Sequence, residues 1–136
     1  MADSFQLEVV TPDKQVVNAA VDEAQIPGKS GYLGILPGHA PLITELAIGE
    51  VSYHRNGVVT CLSLAWGFAE VLPEKVTILA ETAERADEID VKRAQAARDR
   101  AEQRLKKIDA STDLGRAESA LERANSRLQV AATRRS

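Results

Sequence analysis

The chain has 136 residues, 44% of them hydrophobic and only 4% aromatic, with a net charge of −3. That length suits one or two small domains, and no run of eighteen apolar residues marks a transmembrane helix. The start, Met-Ala-Asp-Ser-Phe-Gln, lacks the basic region and apolar stretch of a signal peptide. The single Cys61 excludes an internal disulfide, as suits a reducing compartment, and reads as a small buried hydrophobe.

The first eighty or so residues read as short strands. Phe5, Leu7 and Val9 alternate with Gln6 and Glu8, the pattern of a half-buried strand, and Pro12-Asp13 turns the chain. Val16 and Val17 open a second strand, a third ends at Pro27-Gly28, and Tyr32–Leu36 forms a fourth that closes at Pro37-Gly38. Asn56-Gly57, between Val51–His54 and Val58–Leu64, is the strongest local signal, because a two-residue hairpin needs positive φ at both central positions. Phe68–Leu72 and Val76–Ala80 follow as separate strands about Pro73-Glu74. His54, on a strand before that hairpin, reads as structural. Strands at this spacing with Gly/Pro turns imply a sandwich or flattened barrel.

After Glu81 the period becomes helical. Asp90 is placed to cap a first helix with the stripe Ala94, Ala97, Ala101, Leu105 and Ile108. The chain breaks near Asp109–Asp113, where Thr112 or Asp113 caps a second helix. Its seam is Leu114, Ala117, Leu121, Ala124, Leu128 and Ala131, a heptad spacing. So short a linker makes an antiparallel hairpin, and alanines at alternate seam positions let the helices approach closely. With few large apolar residues to bury, the hairpin is expected to be marginal by itself and to depend on docking or a ligand.

Folding the hairpin about residue 111 sets Arg93 near Arg127 and Arg100 near Arg123. Arg93, Arg100 and Arg127 occupy g positions with Arg123 beside them at c, and Ala120 leaves a gap among them. Like charges so close repel unless an anion or partner sits between them, and guanidinium forks around a gap suit a polyphosphate. The competing reading is a solvated face with helix ion pairs to Glu102, Glu118 or Glu122.

Charge divides the same way as pattern: residues 1–83 hold 4 basic and 10 acidic side chains, residues 84–136 hold 13 and 10. The tail is too mixed in sign, and too poor in aromatics, for a nucleic-acid arm. Two distant histidines and one cysteine make no metal site, and neither a Gly-rich Walker loop nor a nucleophile elbow is present.

The stretch Gly31-Tyr32-Leu33-Gly34-Ile35-Leu36-Pro37-Gly38-His39-Ala40-Pro41-Leu42 resembles the signature of the epsilon subunit of F-type ATP synthase. The likeness continues through Val10-Thr11-Pro12-Asp13, Gly67-Phe68-Ala69-Glu70-Val71 and the helical tail. It implies an α+β chain: a ten-stranded β-sandwich over residues 1–84, binding the gamma subunit and the c-ring, then a regulatory antiparallel helical hairpin over 85–136. It implies a noncatalytic rotor subunit, peripheral on the cytoplasmic face of the cell membrane. In the compact state the hairpin lies on the sandwich. Extended, it reaches the alpha and beta catalytic subunits through Arg116, Arg123, Arg127, Arg134 and Arg135 and inhibits hydrolysis.

Ile89-Asp90-Val91-Lys92-Arg93-Ala94 is similar to the Ile/Leu-Asp-x-x-Arg-Ala motif by which some bacterial members bind ATP. The resemblance therefore assigns Glu84, Ile89, Asp90, Arg93, Ala94, Arg100, Arg123 and Arg127 to a regulatory nucleotide site, with no catalytic cofactor. It also assigns Tyr32 and His39 to the loop facing the c-ring, Tyr32 standing where an acidic residue is frequent. The alternative is a purely structural coupling subunit whose hairpin binds no nucleotide.

Overall fold

The computed structural model describes residues 3–133. Eight strands come first: β1 (Phe5–Val10), β2 (Gln15–Val21), β3 (Glu23–Gly28), β4 (Gly31–Ile35), β5 (Leu42–Leu46), β6 (Gly49–Arg55), β7 (Val58–Val71) and β8 (Lys75–Arg85). A 3-10 turn at Ala86–Glu88 leads to α1 (Val91–Lys106) and α2 (Leu114–Ala132). The sheet runs β2-β1-β8-β7-β5-β3-β4, with β6 bridging β3 and β7. All pairs are antiparallel except β1 with β8.

The strand count is eight, not the expected ten, because β7 and β8 cross from one layer of the sandwich to the other without a break. β6 pairs with the first half of β7, from Val58 to Leu64, and β5 with the second, from Gly67 to Val71. Between them Trp66 takes φ 52° and Gly67 φ 156°. Inward-facing residues are even-numbered before this corner (Leu62, Leu64) and odd-numbered after it (Ala69, Val71). In β8 the parity changes in the paired region, from Val76, Ile78 and Ala80 to Ala83. Side chains alternate strictly along a regular strand, so such a change needs backbone outside the β region. The expected strands Val58–Leu64 and Phe68–Leu72 are therefore one strand bent at Trp66-Gly67, while Pro73-Glu74 separates β7 from β8 as expected.

Gly67 is required there for space as well as for φ. A Cβ at this position meets the Leu79 carbonyl oxygen at 2.1 Å and the Ala80 Cα at 2.9 Å. At the β6–β7 turn Asn56 (φ 51°) and Gly57 (φ 79°) adopt the expected conformation.

The core lies between the sandwich layers, and its largest fully buried side chains include Leu7, Ile26, Ile35, Leu46, Leu62, Leu64 and Ile78. The helices bury much less: Ala94 and Ala101 on α1, and Ala117, Ala124 and Val130 on α2. The leucines expected in the seam are not fully buried. Leu105, Leu121 and Leu128 are half-buried and Leu114 is exposed. Ile108 is exposed beyond the end of α1. The interface is alanine on alanine, so larger side chains are held at its margins.

Asp90 and Asp113 cap α1 and α2 as expected, each accepting the amide hydrogen three residues on at 3.0 Å. α2 packs on the outer face of β6, β7 and β8, and α1 packs on α2. The sheet contact explains why four successive residues of β7, Leu62 to Ala65, are all buried: even positions face the core, and odd ones face α2. Ser63 Oγ lies 3.0 Å from Ser126 Oγ, which also donates to the Gly49 carbonyl at 3.2 Å. Cys61 is half-buried, not fully buried. Burial and the neighbouring Glu50 carboxylate push its thiol up to about 11, which keeps it protonated and unreactive at neutral pH.

Two outcomes follow from this architecture. Gly67→Ala drives a methyl group into the Leu79 carbonyl, and thermal unfolding should register a loss of about 2–4 kcal/mol. In hydrogen exchange, α1 and α2 amides of the ligand-free chain should be at least about tenfold less protected than those of β7 and β8. Equal protection would mean the hairpin does not depend on its thin docking contacts.

Candidate anion-binding site

Helix periodicity and close packing build the site. Arg93, Arg100 and Arg104 follow one another along α1 at spacings of seven and four, so they share a face. Arg123 and Arg127, four apart, do the same on α2. Between these rows stand Ala97, Ala101, Ala120 and Ala124, whose small side chains leave a cleft of about 330 Å³. Its floor is the outer face of β8, through Thr82 and Glu84.

Five arginines thus surround one carboxylate. Arg127 Nη2 donates to Glu84 Oε2 at 3.2 Å, and Nε lies 2.7 Å from Oε1 without directing its hydrogen at that oxygen. The Arg123 guanidinium carbon lies over the Trp66 ring, 5.1 Å from its centroid. Among the described residues, Arg93, Arg100, Arg104 and Arg123 have no carboxylate partner. Arg98, on another face of α1, is paired instead with Asp99 and Glu102. The cleft therefore holds about four uncompensated positive charges, an arrangement suited to a polyanion with several oxygens for the guanidinium forks.

The expected residues divide into two groups. Glu84, Arg93, Arg100, Arg123 and Arg127 all line the cleft, and Ala120 forms the gap expected of it. Ile89, Asp90 and Ala94 do not line it: Ile89 and Ala94 are buried, and Asp90 caps α1, fixing the axial position of Arg93. Arg104 was missed, although its spacing from Arg100 is visible in the sequence. Thr82 and Trp66 were missed because no local pattern says which strand lies beneath a helix.

Arg116 is exposed on the first turn of α2, and Arg134 and Arg135 lie outside the described residues. Tyr32 and His39 do not share a loop. Tyr32 is on β4, exposed, with its hydroxyl accepting the Glu50 amide hydrogen at 2.9 Å. His39 is in the following turn, where Nδ1 donates to the Ala40 carbonyl at 2.7 Å.

Two domain descriptions cover this architecture in the same order. The β-sandwich domain of the ATP synthase delta/epsilon chain matches residues 4–86, and its long α-helix domain matches residues 87–132. The chain belongs to the ATP synthase delta/epsilon family. An ATP synthase epsilon chain of Geotalea daltonii is 52% identical over 132 residues, 96% of each chain. One from Koribacter versatilis is 70% identical over 105 residues, 77% of this chain and 74% of that one. In fold, a chain of the Euglena gracilis mitochondrial ATP synthase superposes with a TM-score of 0.82 at 24% identity, covering 97% of this chain and 83% of that one. A chain from the Tetrahymena thermophila enzyme gives 0.52 at 13% identity, covering 95% and 94%. As an epsilon chain, it is a noncatalytic subunit of the ATP synthase complex.

The Glu84–Arg127 pair ties α2 to β8 at partly buried positions. A double-mutant cycle of Glu84→Gln and Arg127→Gln, read by thermal unfolding, should give a coupling of about 1 kcal/mol. Additivity would show that the pair does not help to hold the hairpin down.

Proposed function

We propose that this epsilon chain is a rotor subunit of the central stalk, on the cytoplasmic face of the membrane, coupling proton flow to ATP synthesis and restraining hydrolysis through its hairpin. ATP bound in the arginine cleft stabilises the compact state. The observation carrying this reading is the composite make-up of the cleft: its arginines come from both helices, and its floor from the sandwich. A ligand held by all three surfaces binds the docked hairpin and loses its site when the hairpin leaves. Such a ligand shifts the balance by RT ln(1 + [L]/Kd), about 2.7 kcal/mol at a hundredfold excess over Kd.

In the extended state Arg123, Arg127 and Arg116 meet acidic surfaces of the alpha and beta subunits, so phosphate and partner compete for the same side chains. The sandwich has two exposed apolar regions that support the remaining contacts. The first is a groove of about 480 Å³ lined by Val10, Pro12, Trp66, Phe68 and Leu79, which fits the gamma subunit. The second, near His39, presents Leu36, Leu42 and the 73%-exposed Ile43 toward the c-ring. The Tetrahymena chain of the same fold comes from a structure of the central stalk and c-ring, in keeping with this placement.

A second reading has its own observation. Glu84 engages Arg127, and Trp66 faces Arg123, so contacts within the chain themselves tie the hairpin to the sandwich. In that case the chain is a structural coupling subunit. Titration calorimetry on the purified chain separates the two. With ATP as regulatory ligand, binding is measurable below millimolar concentration and Arg93→Ala weakens it by about tenfold or more, as for loss of a charged hydrogen bond. No heat at millimolar ATP, or equal heat from that variant, leaves the structural reading standing.

A further inference from the structure

The five arginines of the cleft are not held alike. Arg127 has its donor edge turned to a carboxylate. Arg123 has none within ion-pair distance among the described residues, and the group it lies over is the Trp66 ring, 5.1 Å to the centroid. That separation is within cation–π range. A guanidinium uses its face for an aromatic contact and its rim for hydrogen bonds, so the two uses do not compete. An arginine anchored over a ring stays ordered while its donors remain available, whereas one anchored by a carboxylate must first give that partner up.

We infer that Trp66 is a positioning residue of the cleft, its indole holding the Arg123 guanidinium in place with the donor edge free for a phosphate group. This deepens the phosphate-binding reading above and rests on it. Trp66 does not line the cleft itself, so it acts through Arg123 rather than on a ligand.

The ring is well placed for this work. Trp66 stands at the corner where β7 changes layer, with φ 52°, and its amide donates to the Ala47 carbonyl at 3.2 Å. The next residue, Gly67, is fixed against the Leu79 carbonyl. The platform therefore belongs to a tightly constrained corner of the sandwich, while the arginine belongs to α2. Arg123 is positioned only when α2 is docked. The nearby alanines on both helices offer no polar atom that could hold it otherwise.

Trp66→Phe and Trp66→Leu separate a ring contact from simple packing, because leucine keeps apolar bulk but has no π face. Two measurements on the full chain read the difference. In hydrogen exchange without ligand, α2 amides around Arg123 should lose protection by about fivefold in W66L and about twofold in W66F, with β1 and β8 amides unchanged as a check of folding. In calorimetry with ATP and with inorganic triphosphate, the same order should appear in affinity: wild type, then W66F within about twofold, then W66L weaker by about fivefold. Equal behaviour of the two variants, in either measurement, overturns the role of the ring. A wild-type chain that binds neither ATP nor triphosphate removes the cleft assignment and Trp66's role with it. A binding wild type with equal affinities in W66F and W66L removes Trp66 alone.

Discussion

The close approach of Gly67 to the Leu79 carbonyl fixes the geometry on which the other features depend. With no side chain at this point, β7 and β8 turn together from one sandwich layer to the other while remaining hydrogen-bonded on both sides of the corner. The turn reverses which residues face inward. Thr82 and Glu84 of β8 thereby come to the outer face beneath the helices, beside Ser63 and Ala65 of β7. A regular strand through this region would have kept the earlier parity, carrying Glu84 to the opposite side from where α2 lies. The same corner presents Trp66 to Arg123.

On that outer face the hairpin is attached by few and mostly polar contacts. The Ser126 bonds, the Glu84–Arg127 pair and the Arg123–Trp66 contact all come from α2. Val130 adds the largest buried apolar group of the two helices. Against these stands the mutual repulsion of five guanidiniums lining one cleft. Attraction and repulsion thus act on the same helix, the one through α2's contacts with the sheet and the other across the cleft.

What could be read from the sequence was local. The Asn56-Gly57 turn, the two aspartate caps and the arginine rows follow from backbone chemistry or from helical period, and each is found in place. The parts that were not legible involve two segments at once. Strand Leu42–Leu46 follows Pro41 but lacks a clean apolar/polar alternation, and the continuity of β7 through Trp66-Gly67 depends on how β8 pairs with it. The heptad spacing places leucines and alanines alike in the seam, but only the alanines Ala94, Ala101, Ala117 and Ala124 are fully buried there, and the leucines are half-buried or exposed. Arg104 could have been found from its four-residue step beyond Arg100. The Trp66–Arg123 contact could not, since nothing in either neighbourhood names the other.

The order of layers runs against the order of the chain. α1 precedes α2 in sequence but lies outside it, resting on α2 rather than on the sheet. During synthesis the sandwich is complete once β8 has emerged, yet α1 then has no surface to settle on. Isolated helices shorter than about 12–15 residues are marginal in water, and the sixteen-residue α1 is little longer, so it gains a packed surface only once α2 has followed it. The hairpin is thus assembled from its far end inward, and a ribosome paused between the two helices would display a finished sandwich with a loose, alanine-rich tail.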